Sequence, residues 1–298
     1  MPPRTSSIAL PFAVATAGIA FFSVMDALMK SMSLAIGAYN AMLWRTMAGG
    51  LLGAALFFGL GYAWPGRAVM RLHLIRGTMS ALMAILFFWG LARVPLAQGV
   101  ALAFVAPLIA LYLAALLLKE KIERRAIVAS LLGFAGVVVI LAGQARANLG
   151  PEAFWGSISI LTSATLYAWN IILMRQQAQV AKPVEIAFFM SAIMSLCFLL
   201  AAPFLAELPP ASQLPSVIGA ALLAFGSLML LSWAYARAEA QYLAPVEYTA
   251  FIWASLLGYL VFHEPVRPLT LAGALMIIVA CILAAGQRAP PLPDLEAI

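Results

Sequence analysis

Apolar residues run through this chain in long blocks separated by short polar breaks, from near the N-terminus to residue 286. The blocks are continuous and lack the alternation of a membrane barrel strand. About 20 apolar residues cross a bilayer core as a helix. Ten blocks reach that length, near 9–29, 38–61, 72–91, 95–118, 125–143, 154–174, 184–205, 214–236, 241–262 and 268–286. Several breaks carry turn chemistry: Trp64-Pro65-Gly66, Leu149-Gly150-Pro151 and Leu208-Pro209-Pro210. The pattern predicts an all-α polytopic membrane protein with ten transmembrane helices. The proline-rich tail from Ala289 is expected to be disordered.

One stretch occurs twice. Leu96 to Glu120 and Ala240 to Glu264 are both long apolar segments ending on a glutamate. Ala92-Arg93 precedes the first and Ala236-Arg237 the second. Each is followed by an apolar segment that closes on glycine, at Gly143 and Gly286. Arg93 falls on Arg237 and Glu120 on Glu264 at a spacing of 144, and Met29-Lys30 falls on Met174-Arg175 at 145. The chain therefore divides into five-helix repeats over 8–145 and 153–288, with 289–298 as the tail. Five is odd, so the second repeat is expected upside down relative to the first. Inverted repeats mark secondary transporters, with the substrate near the midplane between the halves.

Composition narrows the class further. The chain has 298 residues, 65% of them hydrophobic and only 9% charged, with a mean hydropathy of +1.02. A soluble domain carries about 25% charged residues. The net charge of +6 fits Lys and Arg at an anionic membrane face better than nucleic-acid binding. Cys197 and Cys281 both lie in apolar runs and read as packing residues. The first segment carries Asp26 and is followed by nine more, so it is not expected to be a cleavable signal. With the N-terminus inside, alternate loops hold twelve Lys and Arg on the inner side and four (Lys30, Arg93, Arg146, Arg267) on the outer. Both termini are therefore expected in the cytoplasm of a bacterial inner-membrane protein.

The glutamates in Lys119-Glu120 and His263-Glu264-Pro265, together with Arg45 in LWRTMAGG, resemble marks of the drug/metabolite transporter superfamily. The similar branch is built from two EamA-type five-helix repeats. Pro107 resembles a proline common there. Its counterpart in the second half is Phe251, which removes the ground for a kink in span nine. Within the superfamily the chain is similar to bacterial exporters of aromatic amino acids. The resemblance implies two four-helix groups, spans one to four and six to nine, around a central cavity. Spans five and ten would pack outside as supports.

Charges within a span cost about 2.5–3.5 kcal/mol each on insertion scales and are functional candidates. Asp26, Arg45 and Glu247 stand out. Asp26 is placed one turn from the outer end of span one at Met29, and Arg45 about 10 Å into span two. The simpler expectation is an ion pair locking the hairpin. The alternative is that one of them binds a substrate carboxylate or ammonium. Glu247 follows Pro245 and suits the positive end of a helix, or else faces the cavity as a protonatable group. Glu120 reads as a solvated member of an ion pair, and Glu264 as a helix end at the membrane surface. His73 and His263 read as interfacial.

A candidate lining follows from helical spacing. Span six places Ser159, Thr162, Leu166, Trp169 and Asn170 on one face. Span three offers Met79, Met83 and Phe87; span four Gln98, Ala101 and Val105; span eight Met229, Trp233 and Tyr235; span nine Tyr248. Met79, Met83, Gln98, Trp169, Asn170 and Tyr248 are the expected substrate-binding residues. Such a lining suits a flat, partly apolar ligand. There is no Walker A, Rossmann, HExxH or GxSxG pattern and no clustered metal set. No enzyme activity, cofactor or metal is expected. The expected function is export of amino acids, biased to aromatic and other apolar ones. Efflux of lipophilic drugs or cations is the alternative, and a non-transporting scaffold the alternative of another class. The partners are then small-molecule amino acids and membrane lipid, without nucleic acid, and the unit a monomer.

Overall fold

A computed structural model describes residues 9–110, 113, 124–146, 150–235, 237 and 246–285. Glu120, Lys119, Pro245 and the tail from Ala289 lie outside them. The described elements are helical: α1 (Ala9–Gly59), α2 (Arg67–Leu91), α3 (Leu96–Ala103), α4 (Arg124–Arg146), α5 (Gly150–Val180), α6 (Pro183–Leu199), the short α7 (Ala202–Leu205), a 3-10 turn (Ala211–Gln213), α8 (Leu214–Tyr235), α9 (Thr249–Phe262) and α10 (Pro268–Ala285). No strand occurs among the described residues.

Spans one and two form the two limbs of α1, broken at Gly37 (φ 78°, ψ 150°). Only glycine adopts that backbone without a steric cost. Nothing between Met29 and Gly37 stops a helix, so the first limb continues past the expected end at Met29. Lys30 is consequently not a loop residue. It lies within the helix and is 2% exposed. Arg76, counted above among the inner loop cations, likewise lies buried inside α2.

The helices pair antiparallel across the two halves. Gly18 meets Leu231 while Leu28 meets Gly219, pairing span one with span eight. Gly49 meets Ser191 while Gly53 meets Phe188, pairing spans two and seven. Ser159 and Ser163 donate to the carbonyls of Leu86 and Met83, both at 2.7 Å, pairing spans six and three. Spans four and nine run antiparallel from the Leu96–Gly258 contact to the Phe104–Tyr248 rings. Spans five and ten pack on each other, as the support role implies. Small residues set the approach: a Cβ on Gly136 would lie 2.7 Å from the Gly273 carbonyl oxygen.

Spans two and seven, four and nine, and five and ten are equivalent spans that meet, and the one–eight and six–three pairs are each other's counterparts. That is the geometry of an inverted repeat, and the fold is a helical membrane bundle of two such repeats. Large apolar side chains cover its outside, among them Leu51, Leu131, Phe134 and Ile252. That is the surface lipid requires.

Span four is interrupted at Phe104–Val105, where amide bonds reach back only three residues, to Ala101 and Leu102. Pro107 supplies the cause, because it has no N–H and crowds the carbonyl of Ala103. Span nine breaks at Tyr248 without a proline at the position equivalent to Pro107, and the Phe251 amide likewise reaches back three residues, to Tyr248. The expectation of an unbroken span nine is corrected by that turn. The two breaks touch, with the Phe104 and Tyr248 rings 5.5 Å apart and edge-to-face at 89°.

Candidate functional site

Three polar groupings lie inside the bundle. The first closes the end that carries the Gly37 turn. Lys30 Nζ donates to Glu264 Oε1 at 2.5 Å and to the Val94 carbonyl at 2.7 Å, and sits 4.9 Å over the Phe262 ring. Glu264 Oε2 accepts the Leu96 amide at 2.7 Å. His263, in the left-handed conformation (φ 55°), turns the chain so that the Glu264 amide reaches the Gly258 carbonyl. Span one, the turn between spans three and four and the end of span nine are thus tied at one point. The expectation that Glu264 merely ends a helix is corrected: its partner is a buried lysine. Beside the tie is a small recess of about 10 Å³, lined by Gln98, Gly258, Glu264, Arg267 and Thr270 among others. Gln98 itself is buried and its amide lies 3.4 Å from Ser157 Oγ.

The second grouping is a hydrogen-bond chain along spans three, six and seven. Arg76 Nε donates to Asn170 Oδ1 at 3.3 Å, and another Arg76 nitrogen donates to Gln177 Oε1. The amide nitrogen of Gln177 lies 2.6 Å from His73 Nδ1, and His73 Nε2 lies 3.0 Å from Glu185 Oε1. Arginine only donates, so it fixes the Gln177 oxygen toward itself and the amide nitrogen toward the histidine. His73 Nδ1 is then the acceptor, and Nε2–H points at Glu185. His73 is 1% exposed and stacks on Phe189 at 4.7 Å, which corrects the interfacial expectation. A histidine at the edge of the apolar block near 72–91, two residues after Arg71, carries no sequence mark of its burial.

Asn170 also brings its amide 4.0 Å from Met83 Sδ, so two expected lining residues meet. Met79, a turn away on α2, is half-buried. The expected face of span six is split, however. Ser159, Ser163, Asn170 and Gln177 pack inward, while Thr162 and Trp169 are exposed on another side. The polar residues that face α2 follow a narrower stripe than the one first drawn. Tyr167 lies within electrostatic reach of both Arg76 and Glu247. Glu247, exposed and one residue before the break at Tyr248, therefore faces span six.

The third grouping is Asp26 and Arg45. At 1.5 Å per residue they sit about 16 and 12 Å from Gly37 on adjoining limbs, closer in depth than a helix ending at Met29 would allow. They interact electrostatically but form no ion pair among the described residues. Asp26 is 5% exposed, and both its Oδ1 and Arg45 Nε are buried without a hydrogen-bond partner. The expected hairpin-locking pair is corrected on that point.

An inverted helical repeat with polar groups held between its halves is an architecture of membrane transporters. The chain belongs to the EamA-like transporter family, which matches residues 10–142 and 154–286. It is 28% identical over 272 residues to a pseudopaline exporter of Pseudomonas aeruginosa, covering 88% of this chain and 90% of that one. A riboflavin transporter of Rhizobium johnstonii is 28% identical over 273 residues, covering 88% and 86%. An S-adenosylmethionine uptake transporter of Rickettsia bellii is 26% identical over 219 residues, covering 70% of each. A solved crystal structure aligns at a TM-score of 0.62 and 20% identity, covering 94% of this chain and 98% of that one. These relatives are named for small organic solutes, and the names do not single out aromatic amino acids.

Proposed function

We propose that this protein exports amino acids, preferentially aromatic and other apolar ones, across a bacterial inner membrane by alternating access. The repeats 8–145 and 153–288 are the bodies that rock against each other. The supporting observation is the meeting of Asn170, Met83 and Arg76 between helices of opposite halves. The Asn170 amide suits the polar edge of an aromatic side chain, such as a phenol or an indole N–H, and the Met83 thioether suits its apolar face. The Phe104–Tyr248 pair at the two helix breaks adds a flat wall. One relative is named for a substrate with a methionine moiety, which is consistent with an amino-acid substrate.

The orientation with both termini in the cytoplasm is part of this assignment. Moving buried Lys30 and Arg76 out of the loop count leaves eleven cations against three, so the bias persists.

An aromatic contact adds about 0.5–1.5 kcal/mol beyond area burial, roughly a twofold to tenfold preference. Selectivity is therefore broad. In proteoliposomes, labelled L-phenylalanine should show saturable flux. L-Tyrosine and L-tryptophan should compete, and L-leucine and L-methionine compete more weakly. Competition by lipophilic cations and by no amino acid would move the assignment to drug efflux.

A further inference from the structure

Resting on the amino-acid function proposed above, we infer that Asp26 and Arg45 are a two-ended clamp for the zwitterionic head group. Asp26 Oδ1 takes the substrate ammonium, and Arg45 Nε takes its carboxylate.

Both atoms are buried, on adjoining limbs of one helix hairpin, and neither has a hydrogen-bond partner. Leaving such groups unmatched inside an apolar bundle is costly. The two charges act on each other yet stop short of an ion pair. Met25, Met29, Met42 and Leu43, which flank the two residues in sequence, are apolar and at most 3% exposed, and the one buried cation nearby on span one, Lys30, is taken up by Glu264. A simple anion would satisfy Arg45 and be repelled by Asp26, and a simple cation would do the reverse. A ligand carrying both signs matches both ends without adding net charge to the bundle. The arrangement differs from Lys30 and Glu264, which satisfy each other directly and leave no end free.

The test is competition binding to the purified full-length protein in lipid nanodiscs. The probes are L-phenylalanine, phenethylamine (no carboxylate) and 3-phenylpropionate (no amine), with L-methionine, L-histidine and L-alanine as further zwitterions. The wild type should prefer the zwitterion over both truncated probes by at least tenfold. A hydrogen bond to a charged group carries about a ten- to hundredfold effect. Asp26→Asn should therefore reduce the preference over 3-phenylpropionate by about tenfold. Arg45→Gln should reduce the preference over phenethylamine by a similar factor. If either variant fails to fold, Asp26→Glu and Arg45→Lys keep the charge but displace it. Each should weaken the zwitterion more than the probe that lacks the matching group.

Unchanged preference ratios in the folded variants overturn the clamp, and so does a wild type that binds no zwitterion in the panel. If L-phenylalanine fails to bind while another zwitterion binds and shows these ratio changes, the aromatic preference falls and the clamp stands.

Discussion

Two pairs of opposite charges lie inside the same bundle and are handled in opposite ways. Lys30 is fully engaged by Glu264, the Val94 carbonyl and the Phe262 ring. Asp26, a single helical turn away, keeps a buried oxygen without a partner, as Arg45 keeps a nitrogen. The first arrangement is complete in itself and ties three segments at one end of the bundle. The second is incomplete without a further molecule. In a low-dielectric interior the missing partner is the informative feature, because a satisfied pair explains its own presence and an unsatisfied one does not.

The largest expected effect falls on the completed pair. Breaking a buried ion pair by removing one partner costs about 3–5 kcal/mol. Glu264 keeps 23% of its side chain exposed, which places Lys30→Met near the low end, about 3 kcal/mol. Denaturant unfolding in detergent measures it. The Lys30→Met/Glu264→Gln double variant should recover part of that loss. Additive losses would show that the tie is not one unit.

Next come the close helix contacts. Gly136→Ala drives a methyl against the Gly273 carbonyl oxygen at 2.7 Å, whereas Gly219→Ala meets only Leu28 at 3.5 Å. Overpacking costs about 1–3 kcal/mol. Loss of stability should follow the first substitution and not the second, as read by thermal unfolding.

The hydrogen-bond chain of spans three, six and seven should give a smaller effect. Gln177→Ala removes bonds to Arg76 and His73, each worth about 1 kcal/mol. His73→Gln, which keeps polar atoms at the site, should lose less than His73→Leu. Equal losses would mean that the chain contributes only packing.

Smallest in energy is the topology test. Single cysteines at Arg124 and Ala289 should be shielded from impermeant thiol reagents in intact cells, and one at Pro151 should react. Labelling of the first two from outside would contradict the cytoplasmic placement of both termini.

Much of this architecture was legible in the chain. Long apolar blocks announced the helices, and the 144-residue spacing announced the repeat and its inversion. Pro107 marked the break in span four. What stayed hidden depended on tertiary partners. Lys30 reads as a loop cation in any hydropathy scan, because only Glu264, 234 residues away, explains its burial. Tyr248 breaks span nine three residues after Pro245, which reads in the sequence as a first-turn proline, and at the place where Phe104 of the other half packs against it. Asn170 was found because a lone amide in an apolar run is conspicuous. His73 reads as interfacial and Gln177 carries no signal, because both lie near the polar edge of a predicted span, where such residues are common.

The contrast between the filled and the unfilled pair is tested most directly by ligand-induced thermal stabilisation. A ligand that binds the native state alone raises its stability by mass action, by about 2.7 kcal/mol at a hundredfold excess over Kd. L-Phenylalanine should raise the melting temperature of the wild type and, by a similar increment from its lower baseline, of Lys30→Met. It should raise that of Asp26→Asn far less. An increment that survives in Asp26→Asn and vanishes in Lys30→Met would contradict the account, by placing the substrate at the completed pair.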